Sequence, residues 1–256
     1  MNKGEANRIL ADSAHRPWPV PQEPWLIWQD WEDVGFANWP VPVERLRPLV
    51  PPELEIDTFD GLAWITLTPL RVRIRPRTLR LPLGVLDFPE LNLRTYVRVR
   101  DRPGIFFFSL DAGSRLAVAG ARTLYRLPYY TAEMRMTRSD GRVSFRSRRE
   151  DGAARLVASY VLDGEARAAA PGTREHWLAE RYALYVVLRS GRVHRTDIHH
   201  RPWLLQPARF DIETNTVGET AGIALTGEPQ ACMYAAQQKV LTWGPRAVGE
   251  PARTAA

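Results

Sequence analysis

The chain has 256 residues, of which 45% are hydrophobic and 25% charged. That balance is ordinary for a globular protein and excludes disorder over the whole length. The only cysteine, Cys232, excludes an internal disulfide framework and a cysteine-rich zinc site, and 35 basic against 29 acidic residues leave a net charge of +6.

Residues 1–24 read as a polar, proline-rich, flexible arm without the continuous apolar stretch of a signal peptide. No apolar run approaches the ~20 residues that a membrane helix needs, so a cytoplasmic protein with no membrane partner is expected. Residues 25–243 carry no linker, repeat or low-complexity tract and read as one domain, and residues 244–256 read as a flexible tail.

Strand signals dominate the domain. Residues 25–36 and 61–75 come first. In Leu91 to Arg100, Leu91, Leu93, Thr95, Val97 and Val99 then alternate with Asn92, Arg94, Tyr96, Arg98 and Arg100. Pro103-Gly104 reads as the turn into a strand over 105–110. Further strands are expected at 129–137, 142–149, 154–162, 183–189, 192–199, 204–213 and 231–242, with Asp140-Gly141, Asp151-Gly152 and Asp163-Gly164 as turns. Short helices are expected at Pro42 to Leu49 and at Ser114 to Leu124. A third, capped by Thr173, is expected to reach about Tyr185 and to bury Leu178, Tyr182 and Tyr185. Many strands with a few short helices predict an α+β, mostly antiparallel β fold, either a barrel or a strongly bent sheet.

Only Lys3 and Lys239 are lysines, so arginines supply 33 of the 35 basic residues. Lys3 lies in the N-terminal arm, which leaves Lys239 for any mechanism that needs an amine. Arg71, Arg73, Arg75 and Arg77 alternate with Val72, Ile74 and Pro76, which on a strand sets all four guanidinium groups on one face. A solvated edge strand accounts for this ladder as well as a nucleic-acid surface does. The scatter of the other arginines disfavours nucleic acid as a partner.

No glycine-rich phosphate loop, dinucleotide fingerprint or Gly-x-Ser-x-Gly elbow occurs, and no cofactor is expected. His194, Asp197, His199 and His200 fall on both faces of one strand. Three of them cannot share a metal without a bulge or a ligand from elsewhere, so imidazoles ending a strand at a turn is the preferred reading and no metal is expected.

The segment Leu46-Arg47-Pro48-Leu49-Val50-Pro51-Pro52-Glu53-Leu54-Glu55 resembles the N-terminal region of the acetoacetate-decarboxylase-like superfamily. Gly120 to Met134, with Pro128, Ala132 and Glu133 at matching offsets, is similar to that superfamily's Gly-Arg-Glu-x-x-Gly-x-Pro-Lys-Lys-x-Ala-Glu segment. Tyr129 and Tyr130 stand where the superfamily has its lysine pair. The fragments 38–42, 59–64, 90–97, 107–112, 127–130, 180–182 and 200–203 together resemble its uncharacterised YqjF-like branch. The resemblance covers about residues 25–243. It implies a cone-shaped, mostly antiparallel β-barrel with a ligand-sized cavity, and no known reaction.

A phenol cannot form an imine, so the resemblance also implies that the Schiff-base chemistry of the lysine-bearing relatives is lost. Tyr129 or Tyr130, protonated at neutral pH, can instead donate a hydrogen bond to an enolate or carboxylate, and alternation sends the two to opposite faces. The relatives place a catalytic carboxylate on the strand matching 86–99. Counted from Pro89, its position falls on Asn92, with Glu90 two residues earlier on the same face. Glu90 is the candidate base. Asn92, Arg94, Tyr96 and Arg122 are candidates for binding an anionic small molecule, and Arg122 equally for fixing its own loop through backbone carbonyls. The expected function is a barrel that binds a small anionic keto or enol acid. If it is an enzyme, it is an acid/base lyase or isomerase. The alternative is a non-catalytic ligand binder or sensor, with a nucleic-acid protein third and homo-oligomer formation left open.

Overall fold

The computed structural model describes residues 3–78 and 85–248. In chain order its elements are α1 (Lys3–Ala11), β1 (Ile27–Val41), α2 (Val43–Leu46), β2 (Glu55–Ile56), β3 (Ala63–Pro76), β4 (Leu86–Val99), β5 (Arg102–Ala112) and α3 (Arg115–Leu124). There follow β6 (Tyr129–Ser139), β7 (Arg142–Arg149), β8 (Arg155–Leu162), β9 (Arg167–Ala168), α4 (Arg174–Ala179), β10 (Ala183–Val187), β11 (Val193–His199), β12 (Leu204–Asn215), β13 (Ala231–Thr242) and β14 (Arg246–Ala247).

The strands join one sheet, antiparallel except where β5 pairs with β10 and with β6. The pairings β1–β3, β3–β4, β4–β5, β5–β10, β10–β11, β11–β13 and β13–β1 return to the strand where they began. The β11–β13 step rests on Ile198 opposite Thr242 and His199 opposite Leu241. The parallel β5–β10 contact depends on a glycine. A Cβ on Gly104 would stand 2.5 Å from the Tyr185 ring and 2.7 Å from the Ala183 carbonyl oxygen. Pro103-Gly104 is therefore strand, not turn. The chain reverses at Arg100-Asp101, where Arg100 has φ +57°.

Period-two alternation separates the two faces of β4. Leu91, Leu93 and Val97 enter the main apolar core, while Phe88 and Tyr96 join a second cluster on the opposite face. Both faces of β4 are buried over Glu90 to Val97, which is why an alternating sequence here carries no solvated side. The arginine ladder meets carboxylates: Arg71 and Arg73 hold Asp87, Arg73 also holds Glu32, and Arg75 holds Asp30. Arg77 lies over the Trp25 ring. The alternation thus forms cross-strand ion pairs with β1 and β4.

Three further expectations differ from the structure. The segment read as a flexible arm contains α1 and packs on the sheet. Ala6 and Ile9 bury against Trp25, Trp28, Leu241 and Trp243, and the Arg16 guanidinium donates to the Ile198 carbonyl at 2.5 Å. The expectation rested on polar composition and overlooked that two apolar residues suffice to seat a short helix. The helix capped by Thr173 does begin there, with the Thr173 hydroxyl accepting from His176 N, but it ends at Ala179. Tyr182 and Tyr185 are buried from a loop and from β10. Pairing of β10 with β5 and β11 prevails over the local helical spacing. In the segment read as a tail, Arg246–Ala247 pairs with β11, and residues 249–256 lie outside the described residues. No helix among the described residues is long and apolar enough to cross a membrane.

Candidate functional site

A cavity of about 840 Å³ lies against β1, β3, β4, β5 and β6 and beside α3. Its walls are mainly apolar, with Trp31, Ile74, Ile105, Phe107, Leu110 and Leu184 among them, and a few polar groups converge on it. That combination is the usual make-up of a small-molecule site.

Glu90, Asn92 and Arg94 project into it from one face of β4, as their period-two spacing requires. Tyr129 opens β6 and is opposite Leu110 of β5, which is itself opposite Asn92. Its hydroxyl reaches over β5 and donates to Glu90 Oε2 at 2.8 Å. Burial pushes the Glu90 carboxyl up to about 7, although hydrogen bonds from Tyr129 and Asn92 oppose the rise. Burial and the facing Glu90 push the Tyr129 phenol well above its ordinary value, so it keeps its proton.

Arg94 is 5% exposed, and no carboxylate among the described residues pairs with it. Its guanidinium lies 5.3 Å from the Phe36 ring centroid and 5.9 Å from that of Tyr96. Arg94 Nε and Asn92 Oδ1 have no hydrogen-bond partner among the described residues. The same holds for Thr68 Oγ1, directly across from Asn92 on β3, and for Trp203 Nε1 on the cavity wall. A buried polar group left unpaired costs about 1–3 kcal/mol, and three of these four residues, Asn92, Arg94 and Trp203, line the cavity.

The other sequence candidates lie elsewhere. Tyr130 turns to the opposite face of β6, where the Arg149 guanidinium stacks 3.9 Å from its ring centroid. Tyr96 is fully buried, and its hydroxyl shares a hydrogen bond of 2.6 Å with Thr66. Arg122 is exposed and donates from Nε to the Tyr129 carbonyl oxygen at 2.6 Å. It therefore fixes the turn that presents Tyr129, not an anion in the cavity. Lys239 pairs with Glu5 of α1, outside the cavity.

His199 and His200 are spent on backbone. His199 Nε2 meets the Ile9 carbonyl at 2.8 Å, and His200 Nδ1 meets that of Arg201 at 2.7 Å. Burial lowers both, His199 to about 4, so both are neutral at pH 7. Among the described residues no group of three or more His, Cys, Asp or Glu could hold a metal ion.

Among the lining residues that escaped the sequence reasoning are Tyr125, Arg181 and Trp203. Arg181 is held by Asp57 at 2.6 Å and stacks on Trp177 and Tyr96. The segments around Arg181 and Trp203 are distinctive in sequence, but no local pattern brings them to the cavity. The long-range pairing of β10 and β11 does that.

The model of the DUF2071 family, described as an uncharacterized conserved protein, matches residues 28–239. The uncharacterized protein YqjF of Bacillus subtilis is 45% identical over 226 residues, which is 88% of this chain and 93% of that one. Among solved structures, the enduracididine biosynthesis enzyme MppR complexed with pyruvate superposes with a TM-score of 0.64 at 15% identity, covering 93% of this chain and 95% of that one. Acetoacetate decarboxylase from Legionella pneumophila gives a TM-score of 0.57 at 12% identity, covering 94% and 95%. At such identities the likeness is one of fold, that of the acetoacetate-decarboxylase-like enzymes.

Proposed function

This chain belongs to the DUF2071 family, and from that premise we propose that it is a cone-shaped barrel whose cavity takes a small anionic keto or enol acid, with acid/base rather than imine chemistry. The observation that carries the reading is the Glu90–Tyr129 pair facing the cavity beside Arg94, which pairs with no carboxylate among the described residues. The closed circuit of strand pairings supports the barrel.

A carboxyl poised near 7 is populated in both protonation states at neutral pH. Glu90 takes a proton from the carbon beside the carbonyl and can return it. Once protonated, Glu90 attracts the Tyr129 hydroxyl less, and the phenol turns to the developing enolate oxygen. Arg94 holds the carboxylate as a fixed, planar cation. No amine takes part: phenols stand at 129 and 130, and Lys239 is engaged by Glu5. The pyruvate bound by MppR makes a simple oxo acid the natural first probe.

Proton exchange tests this. Pyruvate in D₂O should lose its methyl protons faster with the protein than in buffer, read by proton NMR. Glu90→Gln should slow the exchange at least about 100-fold. A second reading, a non-catalytic binder or sensor, is favoured by Arg94, which holds an anion with no reaction. Saturable binding lost in Arg94→Gln, with no exchange, would support it. Absence of both binding and exchange would overturn both readings.

A further inference from the structure

Resting on that reading of the site, the structure narrows the ligand. Asn92 stands between Glu90 and Arg94, one two-residue step of about 6.8 Å from each, and Thr68 faces it across the β3–β4 pair. Trp203 closes this end, with its ring 5.2 Å from that of Phe36, over which Arg94 lies. The unpartnered Arg94 Nε and Trp203 Nε1 can only donate, Asn92 Oδ1 can only accept, and Thr68 Oγ1 can do either. A head group with two or more acceptor oxygens and one polar hydrogen satisfies the three that line the cavity, on Arg94, Trp203 and Asn92. A carboxylate next to an enol has this character: the carboxylate oxygens accept, and the enol hydroxyl supplies the hydrogen that the keto form lacks.

The rest of the cavity is unlike its head. Leu116 and Leu124 of α3 are 59% and 49% exposed and line it together with Leu26, which is 40% exposed. Between the two helix leucines, a Cβ on Gly120 would meet no atom within 4 Å. A volume of about 840 Å³ lies in the range of pockets for drug-sized ligands, roughly 300–1,000 Å³. A three-carbon acid would leave most of the apolar wall uncovered.

We propose that the cavity is built for an oxo acid with an extended apolar body, an alkyl chain or an aryl group. The carboxylate and carbonyl sit over Asn92 between Glu90 and Arg94, and the body runs along α3 to Leu116, Gly120 and Leu124.

Calorimetric titration of the intact protein with pyruvate, 2-oxooctanoate, phenylpyruvate and octanoate tests it. Affinity should rise at least about 10-fold from pyruvate to 2-oxooctanoate, because each buried methylene strengthens binding roughly three- to fourfold. Octanoate, lacking the carbonyl, should bind at least about 10-fold more weakly than 2-oxooctanoate. Gly120→Trp fills the open space beside α3 and should collapse the ratio between the long and short oxo acids toward one, with circular dichroism confirming that the variant is folded. Pyruvate binding with no gain from chain length would overturn this inference and leave the proposed function standing. Octanoate as tight as 2-oxooctanoate, or an unchanged ratio in folded Gly120→Trp, would also overturn it. Failure of every oxo acid to bind would overturn the proposed function itself.

Discussion

The Tyr129 hydroxyl donates to Glu90 Oε2 at 2.8 Å across the intervening strand β5, joining residues 39 positions apart in the chain. This bond ties the first residue of β6 to the cavity-lining face of β4. It depends on the turn before β6, where Arg122 holds the Tyr129 carbonyl oxygen from α3. The pair thus needs three elements in register before it can exist.

Glu90 makes stability depend on pH in an unusual direction for a carboxylate. Its folded value of about 7 lies above the ordinary 4.5, so between those values the folded chain binds more protons than the unfolded one. The contribution of Glu90 to stability is therefore present below 4.5 and lost as pH rises through 7. The difference amounts to at most about 3 kcal/mol. Glu90→Gln, neutral throughout, should match the parent near pH 5 and exceed it by about 1–3 kcal/mol at pH 8 in urea denaturation. Parallel stability curves would show that Glu90 does not titrate in this window.

The phenol holds the Glu90 value down, since its hydrogen bond favours the carboxylate. Tyr129→Phe should therefore raise the Glu90 midpoint further above 7. Carbon-13 NMR of labelled glutamate side chains measures this directly. A lowered midpoint would mean that the bond does not form in solution.

The opposite face of β6 is structural. Arg149 Nε and a terminal guanidinium nitrogen donate to Asp111 Oδ1 at 3.1 and 2.7 Å, with both residues buried, and Arg149 stacks on Tyr130. Arg149→Ala leaves a buried carboxylate uncompensated and should cost about 3–5 kcal/mol in chemical denaturation. Tyr130→Phe keeps the stacking ring and should change stability by less than about 0.5 kcal/mol. A Tyr130→Phe variant that loses proton exchange with pyruvate would move the reacting phenol from 129 to 130.

Borohydride separates amine chemistry from the proposed mechanism. Incubation with pyruvate and borohydride should leave the intact mass unchanged, because the Lys239 ammonium is held by Glu5 away from the cavity. A reduced adduct that disappears in Lys239→Arg would show an imine and reverse the argument.

Much of the fold is written locally. Asn92 and Arg94 alternate with Leu91 and Leu93 because a strand has a period of two, and Asp140-Gly141 turns because both residues adopt positive φ, +49° and +73°. The site is less legible. Glu90 and Tyr129 each stand out only through the family likeness, and nothing local says that they meet. The helix expected to run to Tyr185 fails at Glu180, whose carboxylate is taken by Trp203 N at 2.8 Å and by the Tyr182 hydroxyl. Both of those partners lie outside the helix.

The amino-acid order alone determined that positions 129 and 130 are phenols, that one alone could share a face with the cavity, and that three polar side chains of one strand point the same way. These follow from covalent identity and backbone periodicity. The tertiary structure alone decided that Tyr129 is the phenol lining the cavity, that burial pushes Glu90 up to about 7 and that no carboxylate among the described residues pairs with Arg94. The cause is that desolvation and charge pairing depend on atoms from distant strands, which meet only when the sheet has assembled.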